Sequence, residues 1–123
     1  KIIDAQKKSK DAIELFGDGT PLRQFMLADD FSLIISRYIE LGIQESFNVA
    51  PNWNLSIEEI AKVALKTCGS DGMGIVYNSS KPNGQHRKDV NTSIMNTLMD
   101  TPSFTDLEIG IKRIYDHYLK EWS

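Results

Sequence analysis

The chain has 123 residues, 41% hydrophobic and 25% charged, with 14 lysines and arginines against 17 aspartates and glutamates. That length allows one domain with a modest core, and a formal net charge of -3 argues against the basic surface that nucleic-acid partners require. No apolar run approaches the roughly 20 residues needed to span a bilayer, and a single cysteine, Cys68, excludes an intrachain disulfide and fits a reducing, cytoplasmic compartment.

Lys1 opens the sequence without Met or a signal-peptide pattern, so the expectation is a start inside a longer protein. Residues 1–10 read as the end of a helix. Ile2, Ile3 and Gln6 lie on one side, with Lys7, Lys8 and Lys10 toward the C-terminus, where the helix dipole favours cations. Ala12 to Phe16 alternates as a short strand and stops at Gly17-Asp18-Gly19-Thr20-Pro21, a dense turn signal. Gln24 to Ala28 reads extended. Asp29 or Asp30 is expected to cap a helix with the apolar stripe Phe31, Ile34, Ile35, Tyr38 and Leu41, stopped at Gly42.

Phe47 to Ala50 reads as a strand bounded by Pro51. Ser56-Ile57-Glu58-Glu59 is a capping box that opens a helix through Ile60, Val63, Ala64 and Leu65 to Gly69. Cys68 falls on the apolar face of that helix and reads as core. Gly74 to Asn78 is a further strand, followed by a loop over 79–88 and a short helix near 90–99 in which Met95 and Met99 pack inward. Thr105-Asp106-Leu107-Glu108 is a second capping box, opening a last helix with Ile109, Ile111, Ile114, Tyr115, Tyr118 and Leu119 on its apolar side. The fold class is α/β, helix-rich with few short strands. So few strands make a poor sheet alone. Some are expected to pair outside this sequence, and an unpaired apolar strand at 47–50 would favour association, a homodimer included.

No complete catalytic set emerges. A dinucleotide fold needs a glycine-rich turn leading from strand into helix, whereas Gly17-Asp18-Gly19 leads into Thr-Pro-Leu-Arg and Gly69 to Gly74 follows a helix. Tyr38, Tyr115 and Tyr118 have no lysine four residues on; Tyr77 has Lys81 there, but across a strand end and a loop rather than on one face of a helix. Two histidines and one cysteine do not make a structural zinc site, and no Gly-x-Ser-x-Gly elbow occurs. The positive signal is a pair of cationic turns. Arg23 follows the first, where a planar guanidinium can clamp a diphosphate through paired hydrogen bonds. Lys81, Arg87 and Lys88 flank Pro82-Asn83-Gly84 in the second.

These two segments, in this order, resemble the substrate-binding half of the GDP-L-fucose synthases, extended short-chain dehydrogenase/reductases acting on nucleotide sugars. The resemblance runs from the first helix through Arg23, Asp29-Asp30, Phe47-Asn48-Val49, the Ser56 helix and the lysine loop to the tyrosine-rich last helix. It implies that residues 1–123 are a C-terminal nucleotide-sugar-binding portion without the Rossmann core. The whole enzyme would epimerise and reduce GDP-4-keto-6-deoxy-D-mannose with NADPH, its NADP(H) and catalytic residues lying upstream. The resemblance also implies that Arg23 and Lys88 contact the diphosphate and that Phe16 and Asn83 contact the rest of the substrate. Phe16 stands where the family usually has tryptophan, keeping the apolar face but losing the indole N–H. Asn83 stands where it usually has aspartate, and Leu27-Ala28-Asp29-Asp30 replaces the usual His/Tyr-Val-Asp-Asp. Two other readings stay open: a different nucleotide-sugar epimerase, reductase or dehydratase, and a free-standing binding or interaction module.

Overall fold

The computed structural model describes residues 1–122, in which helices and short strands alternate. They are α1 (Ile2–Lys7), β1 (Ala12–Phe16), β2 (Leu22–Arg23), α2 (Ala28–Glu40), β3 (Leu55–Ser56), α3 (Ile57–Thr67), β4 (Gly74–Asn78), β5 (Arg87–Lys88), α4 (Ser93–Leu98) and α5 (Leu107–Trp122). The α/β, helix-rich class expected from the sequence is the one observed.

Two small sheets organise the chain. β1 and β4 pair in parallel, from Ala12 opposite Gly74 to Phe16 opposite Asn78. β2 lies between β3, antiparallel to it, and β5, parallel to it. Every described strand has a partner within the chain, and β1, β3, β4 and β5 each have one on a single side only.

Hydrophobic periodicity places the core. Ile13 and Leu15 alternate on β1 toward α3, where Ala61 and Leu65 recur at helical spacing, and with Ala5 of α1 they form one buried cluster. Gln6 ties this layer together by donating to the Cys68 carbonyl at 2.8 Å and to Ser70 Oγ at 2.7 Å, while accepting from Tyr115 Oη of α5 at 3.1 Å. A second cluster is Ile34 of α2 with Met95 and Met99, covered by Tyr38, Phe47 and Val49. Cys68 is buried as expected, and burial raises its thiol pKa.

Four local expectations are corrected. Phe47 to Ala50 is not a strand. Phe47 instead sits edge-on to Tyr38, ring centroids 5.6 Å apart, and the segment lids the methionine cluster. The stretch read as extended over 24–28 ends one residue early, because Ala28 already opens α2, and the adjoining strand is Leu22–Arg23, which has partners on both sides. Neither Asp29 nor Asp30 caps α2. Leu27 occupies the cap position without a side-chain bond, and buried Asp30 accepts from Thr105 N–H at 2.8 Å and Thr105 Oγ1 at 2.7 Å. With Thr105 so engaged, the second capping box does not form; Asp106 Oδ1 accepts from Glu108 N–H at 2.9 Å instead. The Ser56 capping box forms in full. No helix among the described residues is long and apolar enough to cross a membrane.

Candidate functional site: two cationic turns joined by a three-stranded sheet

β1 ends at Phe16, and the chain reverses at once. Gly17 and Gly19 take φ of +75° and +80°, which side-chain-bearing residues adopt at a cost. Between them Asp18 Oδ1 accepts from Thr20 N–H at 3.0 Å and Thr20 Oγ1 at 2.7 Å, an aspartate-nucleated turn. Three donors therefore favour the Asp18 carboxylate, the Thr20 backbone first, then its hydroxyl and Asn83, and its pKa falls to about 2.

The second turn is built on the first. Asn78, opposite Phe16 at the end of β4, accepts through its carbonyl from Gly17 N–H at 2.9 Å and Lys81 N–H at 3.1 Å. Asn83 Oδ1 accepts from Asp18 N–H at 2.7 Å. A Cβ on Gly17 would stand 1.8 Å from that oxygen, so the approach admits glycine only. Behind the turn, Gly19 meets the Tyr77 ring and the Glu58 side chain, which hydrogen-bond each other and lower the Glu58 pKa, after the larger effect of its bond to Lys62.

Past the turn, Leu22 N–H donates to the His86 carbonyl at 2.7 Å, and this bond starts the parallel pairing of β2 with β5. Leu22 faces Arg87, and Arg23 faces Lys88. Neighbouring strands run about 4.8 Å apart and paired residues project to the same face. The register therefore brings Arg23 and Lys88 together, with Leu55 of β3 on Arg23's other flank. Arg23 is half-buried. Its Nη1 donates to the Leu22 carbonyl at 2.6 Å, and its Nη2 would lie 3.8 Å from a Cβ on Gly84. Lys88 is exposed.

Alternation sends Arg87 to the opposite face, where it is already paired: Nε donates to Asp89 Oδ1 at 2.7 Å and Nη2 to Oδ2 at 2.9 Å. That pairing raises the Arg87 pKa and lowers that of Asp89. Of the two neighbouring cations, only Lys88 shares a face with Arg23.

Phe16 is 54% exposed at the entrance to the first turn, with the Lys1 ammonium 4.3 Å from its ring centroid. The structure thus brings Arg23 and Lys88 into register, ties Asn83 to the first turn, ends β1 on Phe16 just before that turn, and leaves Lys81 exposed. Sequence reasoning missed Asp18 and Asn78, which hold the two turns together. The Asp-Gly-Thr pattern is a recognisable aspartate turn, but the long-range partners carry no local signal. The hollows elsewhere include one of about 410 Å³ by Phe31, Tyr38 and Phe47, and one of about 420 Å³, almost wholly apolar, between α1, α3 and α5. Among the described residues no group of three His, Cys, Asp or Glu is placed to hold a metal ion.

Comparison with known proteins follows the same lines. No protein-family model matches the chain. It is 32% identical over 123 residues to a GDP-L-colitose synthase from Yersinia pseudotuberculosis, covering 98% of this chain and 39% of that protein. Against a GDP-L-fucose synthase from Azorhizobium caulinodans it is 31% identical over 121 residues, covering 97% and 38%. Its fold matches the crystal structure of a GDP-L-fucose synthetase from Naegleria fowleri with a TM-score of 0.88 at 24% identity, over 99% of this chain and 37% of that one; a second crystal structure of that protein has NADP bound. The chain thus spans under two fifths of the length of these relatives. Over nearly its whole length the chain is thus similar in sequence to GDP-L-colitose and GDP-L-fucose synthases and in fold to a GDP-L-fucose synthetase, matching a C-terminal part of those proteins.

Proposed function

We propose that this chain is the nucleotide-sugar-binding portion of an NADPH-dependent epimerase/reductase that converts GDP-4-keto-6-deoxy-D-mannose to GDP-L-fucose. The observation that carries the reading is the in-register pairing of Arg23 with Lys88 on one face of the small sheet. A sugar nucleotide's pyrophosphate carries about two negative charges, and a guanidinium beside an ammonium supplies charge-assisted donors from two directions. Phe16, exposed at the end of β1, would offer its ring to the nucleoside or sugar. Gripping a large non-reacting handle is how such a site would hold the sugar still for chemistry performed elsewhere.

The residues present do not fit the nicotinamide cofactor. Among the described residues the glycine turn at 17–19 leads into strand β2 rather than a helix N-terminus, which supports a reading in which NADP(H) is held by another part of the enzyme. The buried Cys68 accords with a cytoplasmic setting. A second reading, a related GDP-sugar as substrate, is favoured by the 32% identity to a GDP-L-colitose synthase.

Calorimetric titration of the intact protein with GDP, UDP and TDP tests both. GDP should bind most tightly. Arg23→Ala and Lys88→Ala should each weaken it by roughly 10- to 100-fold, the value of one charge-assisted hydrogen bond. Arg87→Ala, on the other face, should leave affinity within about twofold, because rim charges far from a contact are screened. Wild-type affinity in both Arg23→Ala and Lys88→Ala would refute the site.

A further inference from the structure

Asn83 Oδ1 accepts from Asp18 N–H at 2.7 Å, and the Asn83 side chain, after the Thr20 backbone and hydroxyl, helps hold the Asp18 carboxyl low. An amide can accept from the backbone here and still bring a donor, not a charge, toward the Asp18 carboxylate. A carboxylate at position 83 would bring acceptors alone and would face a second carboxylate that Thr20 already holds in its charged form. There is no room to turn away from this contact on the Gly17 side, where a Cβ would overlap Asn83 Oδ1. The next residue along, Gly84, lies beside the Arg23 guanidinium, whose Nη2 would stand 3.8 Å from a Cβ there, and three residues on the chain enters β5 with Lys88. Asn83 is thus linked along the chain to the surroundings of both cations.

Resting on the anion-site reading above, we propose that Asn83 is a positioning residue whose amide, clasped with Asp18, sets how Arg23 and Lys88 stand to each other, and that residues 18 and 83 form an interdependent pair admitting a single carboxylate. The aspartate usual at this loop position in the family is then incompatible with Asp18, and asparagine is its necessary counterpart. Asn83 exerts its effect through the two turns, with its amide oxygen committed to the protein backbone rather than to the ligand.

The test is a charge exchange across the clasp in the intact protein, read by calorimetric binding of GDP and inorganic pyrophosphate, with thermal melting run in parallel. Asn83→Asp alone should weaken both probes by roughly tenfold, the scale of one like-charge contact in partly hydrated surroundings. The double variant Asp18→Asn/Asn83→Asp keeps one amide and one carboxylate facing each other. It should return both affinities to within about twofold of wild type, the non-additivity expected of residues in direct contact. Should Asn83→Asp fail to fold, the double variant still decides: folded and binding, it supports the clasp. A double variant that folds but binds as weakly as Asn83→Asp, or tenfold below wild type where that variant does not fold, would show that residue 83 meets the ligand itself and would overturn the proposal. Neither probe binding to wild type would instead bring down the anion site, and this inference with it.

Discussion

Gly19→Ala probes the joint on which both turns depend. Gly19 combines φ of +80° with an approach in which an added Cβ would stand 2.7 Å from Tyr77 Cε1 and 3.2 Å from Glu58 Cβ. Alanine should cost about 1–2 kcal/mol for the left-handed backbone and about 1–3 kcal/mol for overpacking, roughly 2–5 kcal/mol together. Gly42→Ala is the internal control. It has φ of +62° and nothing within 4 Å of the added carbon, so only the backbone cost of about 1–2 kcal/mol applies. Urea unfolding of the two variants, with m-values unchanged, gives the crowding contribution as a difference of midpoints. In a Gly19→Ala/Tyr77→Ala background the excess should shrink, because the ring that crowds position 19 is gone. Equal losses in Gly19→Ala and Gly42→Ala would refute the reasoning, since the close packing of the turn against β4 and α3 would then have no energetic weight.

Asp30→Ala should strip Thr105 of both its acceptors and cost about 1–3 kcal/mol for the groups left unpaired. Hydrogen exchange at the Thr105 amide should accelerate, and an unchanged rate would count against the tether between α2 and α5. Acid should act through Asp18. Its carboxyl pKa is lowered from 3.8 to about 2 by the Thr20 backbone, the Thr20 hydroxyl and Asn83. A lowered folded-state pKa gives stability that is complete above the ordinary value and lost as pH falls through the folded one. Urea midpoints followed from pH 3.8 down to about 2 should therefore fall less in Asp18→Asn than in wild type. Parallel curves would show that the turn's hydrogen bonds do not couple to folding.

Legibility in the sequence followed the range of the interactions. β1 and β4 were readable to their last residues because each is a short run rich in β-forming residues bounded by turn signals. The Ser56 capping box was readable because its bonds close within three residues. What escaped was decided at long range. β2, β3 and β5 are two residues each, with no pattern of their own, and exist because Leu22–Arg23 is flanked on both sides. Thr105 and Asp30 each carry cap chemistry, but they satisfy one another across 75 positions, so both local caps fail. Phe47 to Ala50 has β-forming residues yet packs its side chains on Met95 and Met99, a choice that burial made and propensity did not. Of the candidate site, Arg23 and Lys88 were visible as cations beside turns. Their meeting, and the separation of Arg87 from them, depends on a register that no local pattern encodes.

That register carries a rule for the loop between Asn78 and Arg87. Because successive residues of a strand alternate faces, inserting or removing one residue there rotates the cation dipeptide by half a turn, presenting the guanidinium where the ammonium had been and stranding Asp89 among the anion ligands. Adding two restores the original aspect. Variation in this loop is thus constrained by parity more than by size, and odd-length changes convert a binding edge into a self-neutralised one.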